Sequence, residues 1–111
     1  MTYRNTEILT PANSQKSFYG KAKVSTYTSP DSRVDFLTSY NTTVAAVVIA
    51  GGKAKMFRLW GGYSATTGKH LAAFHAHECL DWNGKAAWCK TEPVTVDSVM
   101  EYAESFAKVS A

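Results

Sequence analysis

The sequence predicts an α+β domain, an antiparallel meander of about four strands followed by a helix, a short turn or strand segment, and a C-terminal helix. Three observations predict it. Apolar and polar residues alternate in runs between residues 21 and 60, the breaks between those runs are only a few residues long, and a helical period takes over after Ser64. Alternation by two sends side chains to opposite faces of a pleated strand. Loops this short connect antiparallel neighbours and cannot carry a parallel crossover.

In chain order, residues 1–15 are polar, lack a period and contain Pro11, so they read as a flexible N-terminal arm ahead of a single domain over 16–111. The first strand is Lys21–Tyr27, where Ala22, Val24 and Thr26 alternate with Lys21, Lys23 and Ser25. Ser29-Pro30-Asp31-Ser32 supplies a turn. Arg33–Tyr40 alternates again, with Val34 and Phe36 on one face. Thr43–Ala50 is apolar on both faces and therefore reads as a central strand or one covered on both sides. Gly51-Gly52 accepts the positive φ of a two-residue hairpin turn, and Lys53–Trp60 is the returning strand.

Ser64 is placed to cap a helix whose narrow inward stripe is Thr67, Leu71, Phe74 and Glu78. Asp81-Trp82-Asn83-Gly84 marks a turn, and Lys85–Lys90 reads as a fifth short strand or an irregular segment. A final helix is capped by Thr95, carries Asp97 in its first turn and turns Val99, Met100, Ala103 and Phe106 to one side.

Composition narrows the class. A chain of 111 residues with 45% hydrophobic and 19% charged residues can form one core, unlike a disordered polar segment. No apolar run approaches the ~20 residues of a membrane helix, and the N-terminus leads into no signal core, so no membrane association and a cytoplasmic location in a bacterial host are expected. Two cysteines, Cys79 and Cys89, are too few for a disulfide framework. The net charge of +3 is uneven: residues 14–69 hold eight basic side chains against Asp31 and Asp35, whereas residues 91–111 hold four acidic against Lys108. An anion-attracting face would belong to the first part.

The richest segment runs from Trp60 to His70, with a glycine pair, three hydroxyls, Lys69 and His70 at a helix start, where free backbone N–H groups favour anions. It misses two sharper templates. Gly62 and Gly68 are separated by five residues where a phosphate loop has four, and His70 stands where the loop has a hydroxyl. Thr66 replaces the second glycine of a nucleophile elbow. No other spacing is diagnostic of catalysis, so no enzyme is expected.

Two further constellations are weighed. His75 and Cys79 lie four apart on the expected helix and, with Cys89 and either His77 or water, are the candidate zinc ligands. No CxxC spacing supports them, so no metal or cofactor is expected. Lys21, Lys23, Lys53, Lys55 and Arg58, interleaved with aromatic residues, could line a basic sheet face for nucleic acid if strand pairing puts them together.

The strings Ser39-Tyr40-Asn41-Thr42-Thr43-Val44-Ala45 and Leu59-Trp60-Gly61-Gly62-Tyr63-Ser64-Ala65-Thr66-Thr67, followed by His70 and Phe74, resemble a largely uncharacterised family of small proteins encoded by bacteriophages and mobile elements. The resemblance covers residues 14–96 and implies a phage setting, in which short proteins act by binding host machinery. Inhibitors of bacterial defence such as anti-CRISPR proteins are among them. The expected function is therefore a non-enzymatic accessory protein that binds and modulates a host protein through Trp60, Tyr63, Ser64, Thr66, Thr67, Lys69 and His70. The alternative is nucleic-acid binding by the basic, aromatic-rich sheet face.

Overall fold

Five strands, β1 (Thr2–Ile8), β2 (Ala22–Thr28), β3 (Ser32–Ser39), β4 (Thr42–Ala50) and β5 (Lys53–Arg58), form one antiparallel meander in chain order. Three helices follow: α1 (Ala65–His77), α2 (Gly84–Lys90) and α3 (Val96–Val109). This computed structural model describes residues 1–11 and 18–109. The predicted α+β class and meander are present, with one strand more than expected.

That extra strand corrects the reading of the N-terminus. Residues 2–8, expected within a flexible arm, pair antiparallel with β2 from Thr2↔Thr28 to Ile8↔Lys23. Every residue of β1 is exposed. Backbone hydrogen bonds rather than an apolar face hold it, so no alternation announces it. Residues 12–15 of the expected arm lie outside the described residues.

Register sorts the side chains between two cores. Val24 opposes Leu37, Leu37 opposes Ala45 and Val47 opposes Met56, all on the face covered by Leu71, Ala73 and Phe74 of α1 and Trp88 of α2. On the other face Val34 opposes Val48 and Phe36 opposes Ala46, beneath Val99 and Ala103 of α3. The centre of the sheet is thus sandwiched between helices, which explains why β4 is apolar on both sides.

Local chemistry ends the elements where the sequence indicates. Gly51 and Gly52 take φ of 59° and 74° in the β4–β5 turn. Thr67 N–H donates to Ser64 Oγ at 3.1 Å and Ser98 N–H to Thr95 Oγ1 at 3.1 Å, so both predicted caps form. Helix α1 ends in a Schellman motif, with Leu80 N–H bonded to the His75 carbonyl and Cys79 N–H to the Ala76 carbonyl. Cys79 occupies the left-handed position there at φ 59°. The segment Lys85–Lys90, expected as a strand or irregular, is instead most of α2.

Candidate functional site

Arg58, at the end of β5, organises the strand-to-helix junction. Its side chain points inward, and the residue is only 5% exposed. Nε donates to the Trp60 carbonyl (3.0 Å), and Nη2 to the carbonyls of Gly61 (2.7 Å) and Gly62 (3.3 Å). Nη1 reaches the carbonyls of Trp88 (3.5 Å), Cys89 (3.2 Å) and Thr91 (3.0 Å) at the end of α2. One planar fork therefore ties the Trp60–Gly62 turn to the negative end of a seven-residue helix.

Two glycines in this stretch are set by close approach. The Trp60 ring lies against Gly62, where a Cβ would stand 2.5 Å from it, and the Tyr63 hydroxyl occupies the place of a Cβ on Gly68. Lys85 Nζ sits 5.4 Å from the centre of the Tyr63 ring. A shallow groove between α1 and α2 results, lined by Tyr63, Ser64, Gly68, Lys69, Trp82 and Lys85.

The seven residues expected to contact a partner divide into two groups. Ser64, Thr66 and Lys69 are exposed, and Trp60 and Tyr63 are half-buried. Thr67 and His70 point into the domain and are 5% and 1% exposed. Ser39 Oγ lies 3.2 Å from Thr67 Oγ1 and 2.7 Å from His70 Nδ1, and Ser64 Oγ–H donates to Thr67 Oγ1 at 3.0 Å. Hydroxyls donating onward from Ser64 to Thr67, Ser39 and His70 give a consistent chain, with the imidazole proton on Nε2. Burial holds His70 below its ordinary pKa, between the rings of Phe18 (4.6 Å) and Tyr40 (5.8 Å). With both partners enclosed, this Ser–His pair fastens α1 to β3 and offers no nucleophile to a substrate.

The zinc candidates do not converge. His75 Nδ1–H donates to the Leu71 carbonyl at 2.7 Å, and its ring packs 5.0 Å from Trp82 and 5.7 Å from Trp88. Burial lowers the His75 pKa although the Leu71 bond opposes it. Cys79 and Cys89 are exposed free thiols, and among the described residues no three His, Cys, Asp or Glu side chains are grouped to hold an ion.

The five basic residues do not share a face. Lys23, Lys53 and Lys55 project by register to the α3 side, where the positions between them are buried beneath α3. Lys55 Nζ stands 5.2 Å from the Phe57 ring and 5.0 Å from the Tyr102 ring. Lys21 precedes β2, and Arg58 is enclosed on the opposite side. The five do not form a single basic sheet face, because Arg58 registers to the α1 side and is buried there while Lys23, Lys53 and Lys55 project to the other.

Residues 7–90, about three quarters of the chain, match the model of a family of unknown function, DUF8033. The chain belongs to that family. No curated protein and no solved structure matches it. The DUF8033 segment takes in Arg58 and all its carbonyl partners but Thr91, the Ser39–His70 pair and the groove, and ends before α3.

It also contains a pair that the sequence reading missed. Asp35, fully buried on β3, and Glu78, the C-cap of α1, meet under the end of the helix. The available signals were an acidic residue between Val34 and Phe36 in a strand and Glu78 on the inward stripe of α1.

Proposed function

We propose that the chain is a non-enzymatic accessory protein of the phage type that binds and modulates a host protein, as inhibitors of bacterial defence do, and that it docks through the α1–α2 groove. The observation that carries this reading is the exposed pairing of Lys69 and Lys85 around Tyr63 and Trp82, on a molecule whose central strands are covered by helices on both faces. Aromatic side chains supply rigid contact area, and lysines at the rim steer an acidic partner. Thr67 and His70 contribute by fixing the start of α1 from inside.

The test is a K69E/K85E variant, since both side chains are exposed and the change spares the interior. Circular dichroism should be unchanged. Capture of a host protein identified by mass spectrometry should fall at least about tenfold, the scale of losing two rim charges to reversal. Equal capture by the folded variant overturns the assignment of the groove. Recovery of nucleic acid in place of protein, with affinity falling steeply as salt rises, overturns the reading as a whole.

A further inference from the structure

Asp35 lies on the inward face of β3 with its side chain fully buried, and the Glu78 side chain is 3% exposed. Thr26 Oγ1–H donates to Asp35 Oδ1 at 2.6 Å, and Arg33 Nε–H donates to the same oxygen at 3.1 Å. Arg33 Nη2 is 3.0 Å from Oδ2 but is not aligned to bond it. Among the described residues, Asp35 Oδ2 and Glu78 Oε1 are the buried side-chain atoms without a hydrogen-bond partner. The two carboxyl groups stand close enough to act on each other.

Two ionised carboxylates have only acceptors to offer, so a bond between these two oxygens requires a hydrogen on one of them. The surroundings decide which. Asp35 is bonded by a hydroxyl and a guanidinium, both of which favour its charged form. Glu78 stands at the negative end of the α1 dipole, beside the Asp35 charge and out of water. We infer that Asp35 and Glu78 bind one proton between them, carried on Glu78, and that this proton latches the C-terminal end of α1 to the sheet.

The groups facing this site come from every element around it. His77 of α1 places Nδ1 2.8 Å from Glu78 Oε2 and Nε2 2.9 Å from Glu7 Oε1 of β1. Arg33 and Asp35 face it from β3, and the Thr26 hydroxyl from β2. Burial and then Asp35 push the Glu78 carboxyl up to about 7, against the opposing pull of His77. Burial alone would raise Asp35, but bonds from Glu78, Thr26 and Arg33 more than reverse it and hold it below the usual carboxylate range. Burial would lower His77, and its bonds to Glu78 and Glu7 outweigh that and raise it.

The signs agree. A raised Glu78 stabilises the fold fully below its unfolded pKa of 4.5, and that contribution is lost as pH rises through about 7. A raised His77 likewise loses its contribution above 6.5. The lowered Asp35 matters only as pH falls through the acid range below 3.8, outside this window. The latch therefore weakens as pH rises from about 4.5 to about 7, where two buried carboxylates come to face each other at a helix end.

Carbon-13 NMR of the glutamate side chains in the 111-residue chain tests the proton directly. Glu78 should titrate near 7, and a midpoint near the ordinary 4.5 overturns the inference without any variant. Amide exchange, corrected for its intrinsic pH dependence, tests the latch. Protection over Phe74–Leu80 should fall by up to about 10²-fold between pH 5.5 and 8.5, while α3 on the other face stays protected. E78Q keeps a hydrogen to donate to Asp35 and should hold that protection at pH 8.5. The same pH response in E78Q and the parent chain overturns the latch.

Discussion

Replacing Arg58 with methionine removes the donor fork while keeping much of the buried volume, and the structure sets the cost. Six carbonyls lie within 3.5 Å of the guanidinium nitrogens. The Trp88 carbonyl keeps a second donor in Thr91 N–H, and Gly61, Cys89 and Thr91 are exposed enough for water to serve their carbonyls in part. The remaining loss is of charge-assisted bonds worth about 1.5–3 kcal/mol each, with carbonyls of the half-buried Trp60–Gly62 turn left short of donors. We expect R58M to cost on the order of 3–5 kcal/mol, a large share of the ~5–15 kcal/mol that holds a domain together. R58K should fall between the two, because an ammonium has three donors and no planar fork. Urea unfolding followed by circular dichroism and tryptophan fluorescence measures both. A loss below about 1 kcal/mol for R58M refutes the hub, and is what an exposed phosphate-contacting arginine would give.

Two further substitutions probe the same face of the protein. Cys79→Gly relieves the left-handed φ of 59° at the end of α1 and should stabilise by about 0.5–1 kcal/mol, raising the melting temperature by a few degrees. An unchanged or lower melting temperature refutes that account. Gly68→Ala places a methyl group where the Tyr63 hydroxyl sits and should cost about 1–3 kcal/mol. Adding Tyr63→Ala should cancel much of that penalty, so a double-mutant cycle with purely additive effects refutes the close approach.

The elements most legible in the sequence are those whose side chains carry the pattern. Val24, Val34 and Phe36 alternate because their strands bury those positions, β4 is apolar throughout because helices cover both its faces, and Ser64 and Thr95 cap where their types predict. β1 is illegible for a physical reason: all seven of its residues are exposed and its ladder is made by the backbone. α2 is hidden because Trp88 is its single buried residue and Asn83-Gly84 has the chemistry of a turn. The C-terminal end of α2 is satisfied by Arg58, thirty residues and more away in sequence.

The candidate site was half legible for a related reason. In a strand, a charge opposite Val34 and Phe36 reads as facing water, and Asp35 would do so if α1 did not lie over it. Arg58 was likewise grouped with surface lysines that share its charge but project to the other side. The groove residues Tyr63, Ser64 and Lys69 were found because a glycine-rich helix start is a local signal. Lys85 and Trp82, which complete the groove, come from the far side of a helix that the sequence did not announce.

The two faces of the sheet are built on different principles. Beneath α3 the buried residues, Ser32 apart, are apolar through Val34, Phe36, Ala46, Val48, Val99 and Ala103, and a strongly amphipathic helix sits on them by packing. Beneath α1 and α2 the interior holds Thr26, Asp35, Ser39, Arg58, Thr67, His70 and His75. Helix α1 is only weakly amphipathic, with a stripe too narrow to fix its rotation and position through non-directional packing alone. Directional bonds supply what the stripe lacks, Ser39 to Thr67 and His70 at the start of α1 and Arg58 at the end of α2, and the inferred proton between Asp35 and Glu78 would do the same at the end of α1. The groove thus lies between helices pinned at their ends. Of the two ties on α1, the one at its start uses hydroxyls and an imidazole that burial keeps neutral, whereas the one at Glu78 loses its proton near neutrality. Rising pH should therefore free the C-terminal end of α1 first and leave the Tyr63–Lys69 end of the groove in place.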